Sequence, residues 1–377
     1  MLRAISSVTR NGYKHVVKPV LFTRHPDDVH RDMIKMARFV GNVPGVRSLP
    51  NLWGYESPKY LEQTMAGLVF RNPVGLSAGF DKGIETARIM RAVGFGFMTG
   101  GSVTWGQYSG NQGGWFYRLP KSQSIVVNAG LPSEGTKTVA GRAAAYPASL
   151  FRDFPLFVSV AKTNSKRCAS IAAGIQDYAR SLAMFDVELN VGALELNISC
   201  PNAFGGEDFT TPGRLEQLLR VVDALALTKP VFIKMPISVP PKQFLALTDT
   251  AGAHNITGLT IGNLRKDREN VELKDELPDS VAGNLSGAPN RDISTKLIRE
   301  TYQRHPGRFV LIGVGGVFTA EHAYEKIRAG ANLIGMVTGV IFEGPQVVGE
   351  INHGLVALLR RDGLACISDA VGLDAGV

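Results

Sequence analysis

The chain reads as an α/β protein, a (β/α)8 TIM barrel with a small N-terminal helical extension, and three observations lead there. Eight short apolar runs rich in Val, Ile and Leu recur from Val74 onward, with helical patterns between them. Their near-continuous apolarity fits strands buried on both faces, as in a parallel sheet. A doubly wound sheet, the main alternative, would open on GxGxxG after its first strand, and the stretch Gly75 to Gly83 does not supply one.

The length of 377 residues suits this reading. A barrel of this kind commonly takes about 250 residues, which leaves room for an extension over residues 1–48 ahead of a barrel over 49–377. The three cysteines, Cys168, Cys200 and Cys366, are far apart and odd in number, which argues for a reducing compartment and against a disulfide framework. No apolar run approaches the roughly 20 residues that span a bilayer.

The net charge of +8 is concentrated at the amino end, where Met1 to Tyr60 holds ten Lys/Arg against four Asp/Glu and nothing acidic precedes Asp27. Such a segment suits a transit peptide, a nucleic-acid arm, an anionic lipid surface or simply a solvated basic face. No nucleic-acid-binding motif or aromatic interleaving accompanies it, so no nucleic-acid partner is expected. Within it, HPDDVHRDMIKMARFVGNVPG predicts a helix capped by Asp27 and closed by Gly41. Val29, Met33, Met36 and Val40 fall on one stripe of that helix. An earlier apolar cluster, Val16, Val17, Val20, Leu21 and Phe22, is broken by Pro19. Two amphipathic helices are expected, packed on the main domain or lying on a membrane.

The eight strands then follow in order: VGLSAG from Val74, FGFMTG from Phe95, LFVSVA from Leu156, LELNIS from Leu194, VFIKMP from Val231, GLTIGN from Gly258, FVLIGVGG from Phe309 and LIGMVTG from Leu333. Between them Leu215, Leu218, Leu219, Val222 and Leu225 make one helical face, and Thr319 caps a helix ending at Gly330. Strand–helix units with right-handed crossovers close most naturally into a barrel.

Barrel enzymes carry their chemistry at the carboxyl ends of the strands. Those ends bring Lys82, Ser102, Asn197, Cys200, Asn202, Lys234, Asn263, Gly315, Gly316 and Gly339. The set holds no paired carboxylates and no His/Cys cluster at metal spacing, so no metal is expected. Glycines after the last two strands commonly let backbone amides bind a phosphate, from a substrate or from a cofactor such as FMN. Thr338 adds a hydroxyl. Lys234 at a barrel rim suits a Schiff-base nucleophile, as in a lyase, or a cation facing a developing anion such as reduced flavin. Cys200, before Pro201 in a polar loop, suits a general base when nearby lysines favour its thiolate.

From about Tyr13 to Arg360 the chain resembles the dihydroorotate dehydrogenases, particularly the quinone-dependent class 2 enzymes. FRNPVGLSAGFDKG, GFGFMTGGSVT, GNQGGWFYRLP, LNISCPN, VFIKMP, GNLSGAP, IGVGGV and EKIRAGANLIGMVTGVIFEGP carry the likeness, in the right order. The resemblance implies oxidation of dihydroorotate to orotate in pyrimidine (UMP) biosynthesis, with FMN as prosthetic group and ubiquinone or menaquinone as acceptor. It also implies amino-terminal helices that dock on a membrane and admit the quinone. Peripheral attachment of the bacterial type, at the cytoplasmic face of the cell membrane, is the expected location. Carried over by motif, Cys200 is the base and Lys82 its catalytic partner. Ala78, Gly79, Lys82, Ser102, Ser159, Asn197, Lys234, Gly262, Gly287, Gly315, Gly316, Val337 and Thr338 are expected at FMN. Lys82, Asn128, Asn197, Asn202 and Asn263 are expected at the substrate.

Four positions depart from the family pattern. Cys200 stands where the quinone class has Ser, as in the soluble class 1 enzymes. NAGLPSEG from Asn128 is shorter than the usual NRxGFN segment, Leu264 replaces a hydroxyl residue after Asn263, and Ser159 replaces a flavin-contacting Asn. The alternatives are a related FMN barrel that acts on another dihydropyrimidine or uses a soluble acceptor and, more remotely, a lyase with Lys234 as Schiff base.

Overall fold

A computed structural model describes residues 2–45, 48, 53, 57–199 and 209–376. All eight expected runs form strands: Val74–Leu76, Phe97–Val103, Leu156–Val160, Ala193–Asn197, Val231–Met235, Gly258–Ile261, Val310–Val314 and Leu333–Met336. They close into one parallel barrel in chain order. The seam pairs the eighth strand with the first, Ile334 opposite Val74 and Met336 opposite Leu76. Every residue of the second to fifth strands is buried, which is why they read as mostly apolar runs even where Thr99, Ser159, Glu195 or Lys234 interrupts them.

The outer core lies between strands and helices. Helix Pro212–Ala224 buries Leu215, Leu218, Leu219 and Val222, with Leu225 just past its end. Thr319 caps helix Ala320–Arg328, its hydroxyl accepting from the His322 N–H. Inside the barrel the amino-terminal end is plugged by phenylalanines. Phe97, Phe157 and Phe232 come from the strands, and Phe70 comes from a hairpin of Gln63–Met65 and Leu68–Phe70 below them. The Phe157 and Phe232 rings meet edge to face at 5.1 Å. Gly75 and Gly258 make this layer possible, because a Cβ on either would collide with the Phe97 or Phe232 ring. With the lower end filled, only the carboxyl end is left to form a cavity.

Two elements were not expected from the sequence: that hairpin, and an antiparallel sheet of Phe116–Leu119, Ser124–Val127 and Asn284–Gly287. Asn284 and Phe116 both lie opposite Val127, which puts the middle strand between partners from distant parts of the chain.

The amino-terminal segment differs in detail from its expectation. Helix α1, Leu2–Gly12, runs through a π turn, Tyr13–Val17, directly into α2, Lys18–Phe22. Pro19 does not break it: Val17 and Lys18 keep helical dihedrals where the π turn passes into α2. Helix α3 spans Pro26–Asn42, one residue beyond Gly41, and His25 rather than Asp27 is its cap residue. The Asp27 carboxylate is spent elsewhere, accepting the N–H groups of Trp115 at 2.8 Å and Phe116 at 3.0 Å. That contact pins α3 to the antiparallel sheet. Other ties hold the segment down: the Tyr13 hydroxyl donates to the Ile341 carbonyl (2.7 Å), Lys18 to the Phe342 carbonyl (3.2 Å), and Arg38 pairs with Glu85 (3.1 Å). The expected stripe is divided: Val29 is buried and Met33 and Val40 half-buried, whereas Met36 is exposed. Among the described residues no helix is long and apolar enough to cross a membrane. The boundary expected at residue 48 falls where most neighbouring residues are outside the described set.

Candidate active site

One cavity of about 680 Å³ opens at the carboxyl ends of the strands and continues outward beneath α2 and α3. Thirteen of the expected site residues line it: Ala78, Gly79, Lys82, Ser102, Asn197, Lys234, Gly262, Asn263, Gly287, Gly315, Gly316, Val337 and Thr338. Each arrives from its strand end or the loop just beyond. Cys200 and Asn202 lie outside the described residues.

The cavity floor is a network of amides and hydroxyls. Asn197 donates through Nδ2 to Ser102 Oγ (2.7 Å), and the hydroxyls of Ser102 and Ser159 are hydrogen-bonded to each other, oxygen to oxygen 3.0 Å. Asn263 Nδ2 donates to Ser199 Oγ (2.7 Å) and to Asn197 Oδ1 (3.3 Å), while its own Oδ1 accepts the Leu264 N–H (2.9 Å). These bonds fix which face each carboxamide presents before any ligand arrives.

Two expected residues do not reach the cavity. Ser159 is fully buried behind Ser102, acting through that hydroxyl rather than at the wall. Asn128 is one step aside, its Oδ1 accepting from Asn111 Nδ2 at 3.3 Å, while the following Ala129, Gly130 and Leu131 line the wall instead. The shortened NAGLPSEG segment explains this, because its turn is held by Asn164 donating to the Gly130 carbonyl (2.8 Å).

Two lysines define the charge at the strand ends, and Arg118 adds a cation in the outer half. Lys234 is 7% exposed and lines the cavity, and its ammonium has no hydrogen-bond or ion-pair partner among the described residues. A buried ammonium left without an acceptor is costly unless a ligand supplies one. Half-buried Lys82 donates to the Gly79 carbonyl at 3.2 Å and lies over the rings of Trp115 and Phe116 at 5.7 and 5.5 Å.

The glycines act differently from a simple open cradle. At Gly287 a Cβ would strike the Gln123 carbonyl, at Gly316 the Arg291 side chain, and at Gly339 the Val317 carbonyl. They allow three loops to nest against each other, while Gly79, at φ +112°, has open space where its Cβ would be. Thr338 Oγ1 lies 3.1 Å from Ser286 Oγ within this nest. Concave loops of bare backbone, a threonine hydroxyl and an unpartnered lysine suit a flat ring system that carries an anionic tail.

Sequence reasoning missed the residues of the outer half. His30, Tyr13 and Arg118 line the cavity between the amino-terminal helices and the antiparallel sheet. Burial, with Lys82 nearby, pushes His30 down to about 3, so its imidazole is neutral between the edges of Phe80 and Phe116. Burial likewise raises the Tyr13 phenol to about 12. Around them Leu21, Phe22, Val29, Met33 and Val40 make the walls apolar. Only the tertiary docking of α3 reveals His30; the sequence shows it merely as a polar position on an amphipathic helix.

Comparison with known proteins agrees with this geometry. The family model for dihydroorotate dehydrogenase matches residues 60–359. A quinone-type dihydroorotate dehydrogenase of Acaryochloris marina is 31% identical over 375 residues, covering 96% of this chain and 99% of that one. One from Anaeromyxobacter dehalogenans is 36% identical over 312 residues, covering 82% of this chain and 84% of its own. Among solved structures, the ligand-free enzyme of Eimeria tenella superposes with a TM-score of 0.77 at 25% identity, over 92% of this chain and 99% of that one. The ferulenol complex of that enzyme gives a TM-score of 0.82 at 24% identity, over 95% and 99%.

Proposed function

Because the chain belongs to the dihydroorotate dehydrogenase family, we propose that it oxidises dihydroorotate to orotate, holds FMN, and passes the electrons to a quinone. That reaction serves pyrimidine nucleotide synthesis. One observation carries the reading: a single cavity joins a polar floor at the strand ends to an apolar mouth under the amino-terminal helices. A charged pyrimidine suits the first half, and a quinone suits the second.

The residues present fit FMN. Lys234, Ser102 and the open backbone at Gly79 would face its ring, and the nest of Gly287, Gly315, Gly316 and Thr338 would hold its phosphate. When bound, the flavin supplies a hydride acceptor. The protein does the rest. Lys82 places a positive charge where a substrate carboxylate needs one, and Asn197 and Asn263 present carboxamides already fixed by the floor network. Asn202 joins them by motif, and Asn128 contributes through the turn it begins. Cys200, as thiolate, takes the proton from the carbon adjacent to the one that gives up hydride. The phenylalanine layer closes the barrel beneath the site, and the docked helices cover its outer half.

The amino-terminal segment suits attachment to a membrane surface. Val8, Val16, Val20 and Phe39 are exposed on it beside its basic residues, as a peripheral amphipathic anchor requires. The quinone would then enter from the lipid.

Anaerobic mixing with dihydroorotate tests the reading. Yellow protein that releases FMN on denaturation should bleach with dihydroorotate and recover colour with quinone. Colourless protein, or a substrate trapped on Lys234 by borohydride, would favour a lyase instead. Bleaching without recovery by quinone would shift the acceptor to a soluble carrier.

A further inference from the structure

Lys326 is a cation for which the proposed chemistry has no use. It lies on helix Ala320–Arg328, is 0% exposed, and donates to the Arg291 carbonyl (3.1 Å), Ser294 Oγ (2.5 Å) and Thr295 Oγ1 (2.9 Å). All three acceptors are neutral, and among the described residues no carboxylate pairs with it. Glu325 on its own helix and Asp292 on helix Arg291–Arg304 favour its charge from a distance, and Arg291 opposes it. His322, also on its helix, is turned to Arg291 at 2.9 Å, and the seventh strand beneath brings no titratable group. Burial draws the ammonium down to about 7, close to neutrality at physiological pH.

A buried ammonium held only by neutral acceptors gains from a further counter-charge, and the glycine nest adjoins it. The lysine Cδ is 3.3 Å from where a Cβ of Gly313 would be, and the Ser294 hydroxyl it grips is 3.3 Å from the equivalent point on Gly315. Gly316 rests on Arg291, whose carbonyl the lysine also holds. Lys326 thus ties the first turn of helix Arg291–Arg304 to the loop that would receive the phosphate.

We propose that Lys326 is the buried counter-charge for the phosphate of the cofactor, so that binding of the anion at Gly315 and Gly316 is coupled to retention of a proton on this lysine. The inference rests on the FMN reading above. Its sign follows from linkage. A bound anion favours the ammonium, so the affinity gained is full where the lysine is already protonated and is lost as pH rises through the range where the free site gives up its proton. One proton sets the limit, about tenfold in the release constant per pH unit. Lys326 is a positioning residue in this scheme and touches no reacting atom.

The test uses the holoenzyme and reads flavin release, by recovery of flavin fluorescence on dilution, from about pH 6 to about pH 9. Release from the wild type should rise steeply with pH, by up to tenfold per unit. Lys326→Met should hold FMN weakly at every pH and lose the slope, whereas His322→Gln should keep the wild-type slope. Should Lys326→Met fail to fold, Lys326→Arg, charged throughout the range, must show tight retention with no slope. A wild type without slope, or variants of Lys326 that keep it, would overturn the inference while leaving the flavin reading intact. Protein purified without any flavin would overturn the functional reading and the inference with it.

Discussion

Replacing Asp27 by Ala should loosen the mouth of the cavity without touching its floor. The carboxylate accepts two backbone N–H groups, from Trp115 and Phe116, and is a polar bridge from α3 to the antiparallel sheet beside Arg118, which donates to the Arg24 carbonyl just ahead of the helix. Hydrogen bonds to a charged acceptor are worth about 1.5–3 kcal/mol each, and the half-exposed position argues for a discount, so about 2 kcal/mol of docking energy is a reasonable total. That corresponds to roughly thirtyfold in the ratio of docked to undocked α3. The bonds from Tyr13 and Lys18 and the Arg38–Glu85 pair remain, so the segment should stay folded and tethered. Quinone turnover should fall by up to that factor, limited proteolysis of the amino-terminal segment should quicken, and bleaching by dihydroorotate should proceed at the wild-type rate. Asp27→Asn, which keeps one carbonyl acceptor, should show about half the energetic effect. Equal loss of bleaching and quinone turnover would refute the reasoning, because it would make α3 a support for the barrel. Unchanged turnover and proteolysis would mean that the carboxylate does not hold the helix.

Gly258→Ala should destabilise the barrel by about 1–3 kcal/mol or more, since its methyl would collide with the Phe232 ring and the Val310 carbonyl. Thermal melting, at about 2–4 °C per kcal/mol, reads the loss, and an unchanged melt would mean the phenylalanine floor is not tightly packed. For His30, the folded value near 3 is below the ordinary 6.5, so the unfolded chain takes up the proton first and stability drains away as pH falls from 6.5 towards 3. His30→Gln should therefore melt with a shallower acid limb, by up to about 1.4 kcal/mol per pH unit, and coincident acid limbs would contradict the buried neutral imidazole. Cys200→Ala should keep its FMN and lose bleaching by dihydroorotate, while Cys200→Ser should retain bleaching; full-speed bleaching of the alanine variant would remove Cys200 from the role of base.

The barrel was legible because strands covered on both faces leave apolar runs whose ends are easy to find, and those ends carried Lys82, Ser102, Asn197, Lys234 and Asn263 to the cavity. What escaped depends on distant partners. The four-residue strands Phe116–Leu119 and Ser124–Val127 alternate too briefly to stand out, and their third strand, Asn284–Gly287, lies far along the chain. Asp27 sits where a helix cap would, and only the approach of Trp115 and Phe116 reveals its other use. Lys326, between Glu325 and Arg328 in a helix, reads as solvated; it is buried because Gly313 bares the strand beneath it. Asn128 matches its motif by identity, yet the shortened turn after it gives the wall to Ala129, Gly130 and Leu131.

Of the described residues that depart from the family pattern, Leu264 lines the polar half of the cavity and Ser159 lies directly behind it. The substrate half depends on preorganised dipoles, which tolerate exchange if the network closes again. Ser159, shorter than the Asn it replaces, still closes it by hydrogen-bonding to Ser102, which Asn197 then engages. Leu264 loses a side-chain hydroxyl but lends its backbone N–H to Asn263, so the carboxamide stays oriented. The outer half is walled by apolar side chains around His30, whose imidazole is kept neutral by burial and whose ring meets Phe80 and Phe116. The acceptor is therefore tested by the Asp27 and quinone experiments, and the proposed base separately by the Cys200 variants.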